Sequence, residues 1–192
     1  MSYRMTLSVL LLLLCAALPA AAQQVNIAAT VPVASPTGGG VRNLTFGVVT
    51  PAGGSTQIVD VPAAVAPQTA LVQSGEFRFN VAGARGIDFT VTVPTELTSA
   101  GAPPLLISFN GNQYGGYCVT TAASCTLTNF NPSLGQVLRV CRTMLLGFCI
   151  PIGTWPSGNT LRVYVGGRLS VPPSARAGVY TGTVTMTIIQ VF

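Results

Sequence analysis

Ser174 to Phe192 reads SARAGVYTGTVTMTIIQVF, and its alternation decides the fold class. Val184, Met186 and Ile188 fall on one side while Thr183, Thr185 and Thr187 fall on the other, the period of two that strands impose and helices do not. The run ends Ile188, Ile189, Gln190, Val191, Phe192, with no charge or breaker to interrupt it. An end so apolar and β-prone would recruit other chains if left unpaired, so it is expected to lie inside the protein's own sheet.

The same alternation recurs upstream. GEFRFNVAGARGIDFTVTVP, Gly75 to Pro94, sets Phe77, Phe79 and Val81 against Glu76, Arg78 and Asn80. After AGARG it sets Ile87, Phe89, Val91 and Val93 against Asp88, Thr90 and Thr92, which predicts a hairpin with Glu76, Arg78, Arg85 and Asp88 on its exposed face. NLTFGVV from Asn43 directs Leu44, Phe46 and Val48 toward a core. Shorter strands are expected at Thr56–Val61, Thr69–Gln73, Leu105–Phe109, Val137–Val140, Leu161–Val165 and Leu169–Val171, with a tight hairpin at Gly166-Gly167. With 21 glycines, 14 prolines and only 7% charged residues, the chain has the turn-rich, poorly solvated composition of an all-β protein with many short strands.

The chain opens MSYRMTLSVLLLLLCAALPAAAQQ. Arg4, the apolar run Leu7–Leu18 and the small residues Ala20, Ala21 and Ala22 form the three parts of a secretory signal peptide over residues 1–22. The apolar run is short of the roughly twenty residues that span a bilayer, and no second such run follows, so no transmembrane anchor is expected in the mature chain. About 170 residues remain, enough for one domain with a substantial core.

All nine basic residues are arginines, and they are scattered rather than gathered in a stripe. Nucleic-acid binding would cluster them with interleaved aromatics, so no nucleic-acid partner is expected. The chain has no histidine, which removes Ser-His and Cys-His nucleophile pairs and imidazole metal ligands. Asp60, Glu76, Asp88 and Glu96 are its four carboxylates, each expected at a strand end or on a solvated face rather than as a glycosidase pair. No enzyme activity, catalytic residue, cofactor or metal site is assigned.

Beyond Cys15, four cysteines remain: Cys118, Cys125, Cys141 and Cys149. An even count in an exported chain indicates disulfides, and four cysteines allow three connectivities. Nearest-neighbour pairing is favoured, stapling a loop-rich insertion between residues 110 and 155. Tyr114, Tyr117, Phe148 and Trp155 lie in or beside that insertion as a candidate contact surface, with core packing the alternative.

Gln24 to Val33, QVNIAATVPV, alternates Val25, Ile27, Ala29, Val31 and Val33 with smaller or polar residues and is followed by the flexible joint SPTGGG. Residues 23–40 thus form a strand and joint ahead of a sandwich domain at 41–192. The strand has two readings, the first strand of its own sheet or a strand laid across a neighbouring subunit.

NLTFGVV with its Phe46-Gly47 pair, the Gly83–Gly86 turn within GEFRFNVAGARGIDFTVTVP, and Gly178, Tyr180 and Gly182 before the closing strand carry a resemblance. They resemble a family of exported bacterial β-sandwich domains of unknown function, similar in pattern to the spore coat protein U-like pilus proteins of archaic chaperone-usher systems. The resemblance implies an immunoglobulin-like antiparallel β-sandwich, here with a disulfide-stapled insertion, in the periplasm, on the cell surface or outside the cell. It further implies a pilus or fimbria subunit that self-assembles or joins similar subunits, served by a periplasmic chaperone and an outer-membrane usher. Val25, Ile27, Ala29, Val31 and Val33 would then be the donor row of β-strand complementation. The alternative is a self-complete exported domain that binds carbohydrate or protein.

Overall fold

A computed structural model describes residues 23–26, 38–50, 54–66, 69, 71–146, 148–150 and 152–192. In chain order the strands begin with β1 (Gln23–Asn26), β2 (Gly38–Arg42), β3 (Thr45–Val49), β4 (Gln57–Val61), β5 (Val72–Gln73) and β6 (Gly75–Asn80). They continue with β7 (Gly86–Thr92), β8 (Glu96–Ser99), β9 (Ala102–Ser108), β10 (Gly115–Thr120), β11 (Thr128–Phe130) and β12 (Leu138–Cys141). The last are β13 (Met144–Leu145), β14 (Phe148–Cys149), β15 (Thr160–Val165), β16 (Gly167–Val171) and β17 (Thr185–Val191). Among the described residues the helical elements are two single 3₁₀ turns, Asn112–Tyr114 and Pro132–Leu134. The fold is an all-β, immunoglobulin-like sandwich, and every strand pairing is antiparallel.

A five-stranded sheet runs β11-β10-β15-β6-β2, and a three-stranded sheet runs β12-β7-β17. The order β4-β16-β9-β8 makes a third sheet, joined to the approach to β17 by a Thr98–Thr181 bridge. β1-β3-β5 forms a small fourth sheet and β13-β14 an isolated hairpin. All the larger sheets share one core. Phe77, Phe79, Leu161 and Val163 enter it from the five-stranded sheet, Ile87, Phe89, Val91 and Met186 from the facing one, and Leu105, Leu169 and Val171 from the third. At one end Phe89 meets Tyr117 edge-on at 5.8 Å and Phe130 edge-on at 6.4 Å, so one aromatic from β7 seals against two from β10 and β11. Edge-to-face pairs of this kind contribute about 0.5–1.5 kcal/mol beyond the area they bury.

The closing strand behaves as its alternation predicts. Val184 and Met186 are buried, Thr183 and Thr187 exposed, and the backbone of Phe192 exchanges hydrogen bonds with Gly86 while its carbonyl also accepts from Arg85 N–H. The strand nevertheless lies at the edge of its sheet, and a bulge at Ile189 breaks the ladder between Ile188 and Gln190. Ahead of it, the Tyr180 hydroxyl donates to Arg176 O at 2.9 Å, the tyrosine-corner arrangement of immunoglobulin-like sandwiches. Gly178 and Gly182 flank it because β8 passes close by: a Cβ at Gly178 would stand 2.6 Å from Ser99 Oγ, and one at Gly182 2.8 Å from Leu97 Cδ2.

Three local expectations need correction. Gly75–Pro94 is not a hairpin, for β6 pairs with β15 and β2 whereas β7 pairs with β12 and β17. The two arms face each other across the core, and the turn between them is tied to the Trp155 segment, through Gly83 N–H to Trp155 O (2.8 Å) and Trp155 N–H to Ala84 O (2.8 Å). Gly166-Gly167 is likewise not a hairpin turn. β15 belongs to the five-stranded sheet and β16 to the third, so the chain changes sheets there. Finally, Val48 is exposed and Val49 buried, because Gly47 adopts φ +74° and Phe46 and Gly47 together oppose Val25. Such a bulge inserts one residue and inverts the faces beyond it.

Candidate functional site

β1 is the part of the N-terminal strand within the described residues. It lies antiparallel on β3, with Gln23 opposite Val49, Gln24 opposite Val48 and Asn26 opposite Thr45, and forms the outer edge of the sheet β1-β3-β5. Its pairing is therefore within the chain. Of the donor row, Val25 falls in β1, while Ile27, Ala29, Val31 and Val33 lie outside the described residues, as does the segment 1–22. The rest of the joint reappears as β2, where Gly38, Gly39 and Gly40 pair with Phe79, Arg78 and Phe77.

The cysteines pair with their nearest neighbours, Cys118 with Cys125 and Cys141 with Cys149, at Cα separations of 6.4 and 5.6 Å. The stapled region is woven into the sandwich, since it supplies β10, β11 and β12. Gly115 and Gly116 open β10. They are needed for clearance, as a Cβ on Gly115 would come within 2.6 Å of Phe130 O. The alternation of Tyr117 and Val119, both packed against the core, was the available signal for this strand.

The four aromatics named as a contact surface do not form one. Tyr114 and Trp155 are 1% and 8% exposed, and Tyr117 packs on Phe89, so these three serve the core. Burial pushes the hydroxyl pKa of Tyr114 and of Tyr117 above the ordinary tyrosine value. Phe148 alone is exposed. Between the two bridges lies an open cleft of about 390 Å³, lined among others by Tyr117, Thr120, Ser124, Cys125, Val140 and Trp155.

Two carboxylates expected on a solvated face are buried: Glu76 and Asp88 are each 4% exposed. They stand on the outer faces of central strands, where neighbouring arginines cover them. Glu76 Oε1 accepts from Arg78 Nε at 2.7 Å and from the Tyr164 hydroxyl at 3.4 Å, with Arg162 at 3.9 Å. Arg42 lies over the Tyr164 ring and donates to Ala64 O and Ser74 O, holding the Ala64 loop against this sheet. Asp88 accepts two bonds from Arg139, at 2.9 and 2.7 Å, and Arg139 in turn rests over the ring of Phe192. Glu76 and Asp88 raise the pKa of Arg78 and Arg139, chiefly through these hydrogen bonds. Both carboxylates thus have structural partners in place. Among the described residues no group of three or more cysteine or carboxylate ligands could hold a metal ion.

A family model described as a domain of unknown function, DUF4402, matches residues 37–189. The chain belongs to the DUF4402 family. In DUF4402 terms the match covers the sandwich from β2 almost to the end of β17, and β1 precedes it. No curated protein and no solved structure matches this DUF4402 chain. Two disulfides suit the oxidising compartments in which such bonds persist, and among the described residues no helix is long and apolar enough to cross a membrane.

Proposed function

We propose that this DUF4402 chain is a non-enzymatic, exported structural subunit of a fimbria-like or cell-surface assembly, joined to its neighbours by β-strand exchange. The observation that carries the proposal is the position of β1, an edge strand laid on β3 from outside the family-matched region. Strand addition at that edge uses main-chain hydrogen bonds, which a second subunit's N-terminal segment can make as well as the chain's own. Val25, Ile27, Ala29, Val31 and Val33 are the alternating row that would set its register, and residues 1–22 would direct export to the periplasm, where a chaperone and an outer-membrane usher would handle the subunit. Gel mobility of periplasmic protein, unheated and heated without reductant, tests this. Heat-sensitive ladders that vanish on deleting residues 23–34 are expected; a single stable monomer would overturn it.

A second reading, a self-complete exported binding domain for carbohydrate or protein, draws on the cleft between the two disulfides. Its polar lining of Thr120, Ser124, Thr126 and Thr128 offers hydroxyls to a sugar. Saturation-transfer screening of oligosaccharides against the monomer, with Ser124→Trp to fill the cleft, separates it from the assembly reading.

A further inference from the structure

The described surface carries its most concentrated apolar group on the β13-β14 hairpin. Met144, Leu145, Leu146 and Phe148 all point outward, Leu146 and Phe148 being 90% and 75% exposed. Burying side chains of this size is strongly favourable, so a cluster of them held in water marks an interaction site. Its base is rigidly anchored. The Cys141–Cys149 bridge closes it, Ile150 N–H donates to Thr143 O at 3.2 Å, and the Thr143 hydroxyl donates to Ile152 O at 3.2 Å. Leu146 holds φ at +50°, a conformation seen in no other non-glycine among the described residues, and one that costs a leucine energy. The base of the hairpin is therefore fixed from both arms.

Arginines surround its base. Arg142 N–H donates to Arg85 O at 2.9 Å, which places the two residues side by side just beyond the paired ends of β12 and β7. Arg85 borders a small crevice with Cys149, Ile150 and Phe192, where Phe192 also supports Arg139. Among the described residues the side chains of Arg85 and Arg142 form no ion pair, and the acidic side chain carried by β7 or β12 is Asp88, buried and already held by Arg139. An apolar tip over a cationic base complements the layered chemistry of a bilayer, in which phosphate headgroups overlie acyl chains. Beyond the anchoring Cys149, which pairs with Met144, one further pair, Leu145 opposite Phe148, adds a step of about 3.3 Å, and the exposed side chains of Leu145, Leu146 and Phe148 stand out from there.

We propose that the Met144–Phe148 hairpin docks this protein onto a lipid bilayer bearing anionic headgroups, with Met144, Leu145, Leu146 and Phe148 entering the interface and Arg85 and Arg142 contacting lipid phosphates. The inference stands apart from strand exchange and holds for a subunit or a monomer. Cosedimentation of the oxidised protein from Gln23 to Phe192, without the apolar segment 1–22, with phosphatidylcholine vesicles, alone or mixed with phosphatidylglycerol, tests it. Binding to the mixed vesicles is expected to be roughly tenfold tighter or more, since each basic side chain near an anionic surface adds about a factor of five.

Leu146→Ser with Phe148→Ser should weaken that binding at least about tenfold, and Arg85→Gln with Arg142→Gln should abolish the preference for phosphatidylglycerol. Phe148→Trp supplies a second readout that keeps the hairpin apolar: the emission of this variant should shift to shorter wavelength with mixed vesicles, above the fixed signal of buried Trp155. The proposal is overturned if the wild-type protein ignores mixed vesicles, if the serine variant binds them equally well, or if the emission of the Phe148→Trp variant is unmoved. It is also overturned if the serine substitutions only convert a self-associated form to monomer, which would mean that a second copy covers the hairpin.

Discussion

Gly166→Ala tests the architecture at the point where the chain leaves one sheet for another. Gly166 does not have a positive φ, so alanine meets no intrinsic backbone penalty there. Space is what it lacks: a Cβ would collide with Val61 O and lie 2.6 Å from Pro62 C and 2.7 Å from Ala63 N. These are backbone atoms at the end of β4, which pairs with β16 through Val61 opposite Gly167, so no rotamer change relieves the contact. Gly166 N–H also donates to Tyr114 O at 2.8 Å, fixing the corner from its other side. Overpacking typically costs about 1–3 kcal/mol, and an immovable backbone puts this case at about 3 kcal/mol or above. In a domain of this size that lowers Tm by roughly 6–12 °C. Gly83→Ala is the control, with φ +82° and nothing within 4 Å of the added Cβ. Only left-handed strain acts there, about 1–2 kcal/mol or roughly 2–8 °C. Both variants are compared with wild type by thermal and urea unfolding under oxidising conditions. If Gly166→Ala proves no more damaging than Gly83→Ala, or if Gly166→Asn stabilises as it would in a two-residue hairpin, the sheet-switching account is wrong.

Two further outcomes follow from the cysteines and tyrosines. The bridges span sequence separations of 7 and 8, and loops that short give each a chain-entropy contribution of about 2.5 kcal/mol, so Cys118→Ser with Cys125→Ser, or Cys141→Ser with Cys149→Ser, should each lower Tm by roughly 5–10 °C in calorimetry. Burial raises the pKa of Tyr117 in the folded state above 10.0, so its contribution to stability is complete below that pH and is lost as pH rises through the raised value. Urea midpoints should hold steady up to about pH 9 and then fall, and Tyr117→Phe should flatten part of the decline.

Alternation told which side chains of each strand turn inward far better than it told which strand lies beside which. Phe77, Phe79, Ile87, Phe89 and Val91 are all buried as the period of two requires, yet β6 pairs with β15 and β2, and β7 with β12 and β17, instead of with each other. A hairpin and an arch place the same residues inward. What separates them is the partner of the turn, and that partner, Trp155, is some seventy positions away and carries no local mark. Glu76 and Asp88 illustrate the same limit from the polar side. Both follow the alternation and face away from the core, but the arginines that bury them arrive from β6 itself, β12 and β15. The nearest-neighbour disulfides were legible because only short loops separate them, whereas the β13-β14 hairpin was not, since Met144–Phe148 shows neither alternation nor strand length; of its residues only Phe148 stood out, as one of the candidate contact aromatics, and it is exposed.

Lysine is the residue most used to keep sheet edges from pairing with strangers, and this chain has none. Its edges are protected by shape. β17 carries a bulge at Ile189, β2 shifts register between Gly40 and Arg42, β8 shifts between Leu97 and Ser99, β11 has three residues, and β12 runs directly into a disulfide-closed hairpin. Each is short or irregular enough to discourage a continuous ladder with another chain. The sequence from Val25 to Val33 alternates without a charge, and its single breaker, Pro32, comes near its end. A chain that blunts most of its other edges by geometry while carrying a long, uncharged, alternating stretch of sequence near its N-terminus has reason to give that stretch a partner, and β3 is where residues 23–26 already lie. Strand exchange requires only that the partner's N-terminal segment take the same place, and this is the physical basis for preferring assembly over a self-contained binding domain.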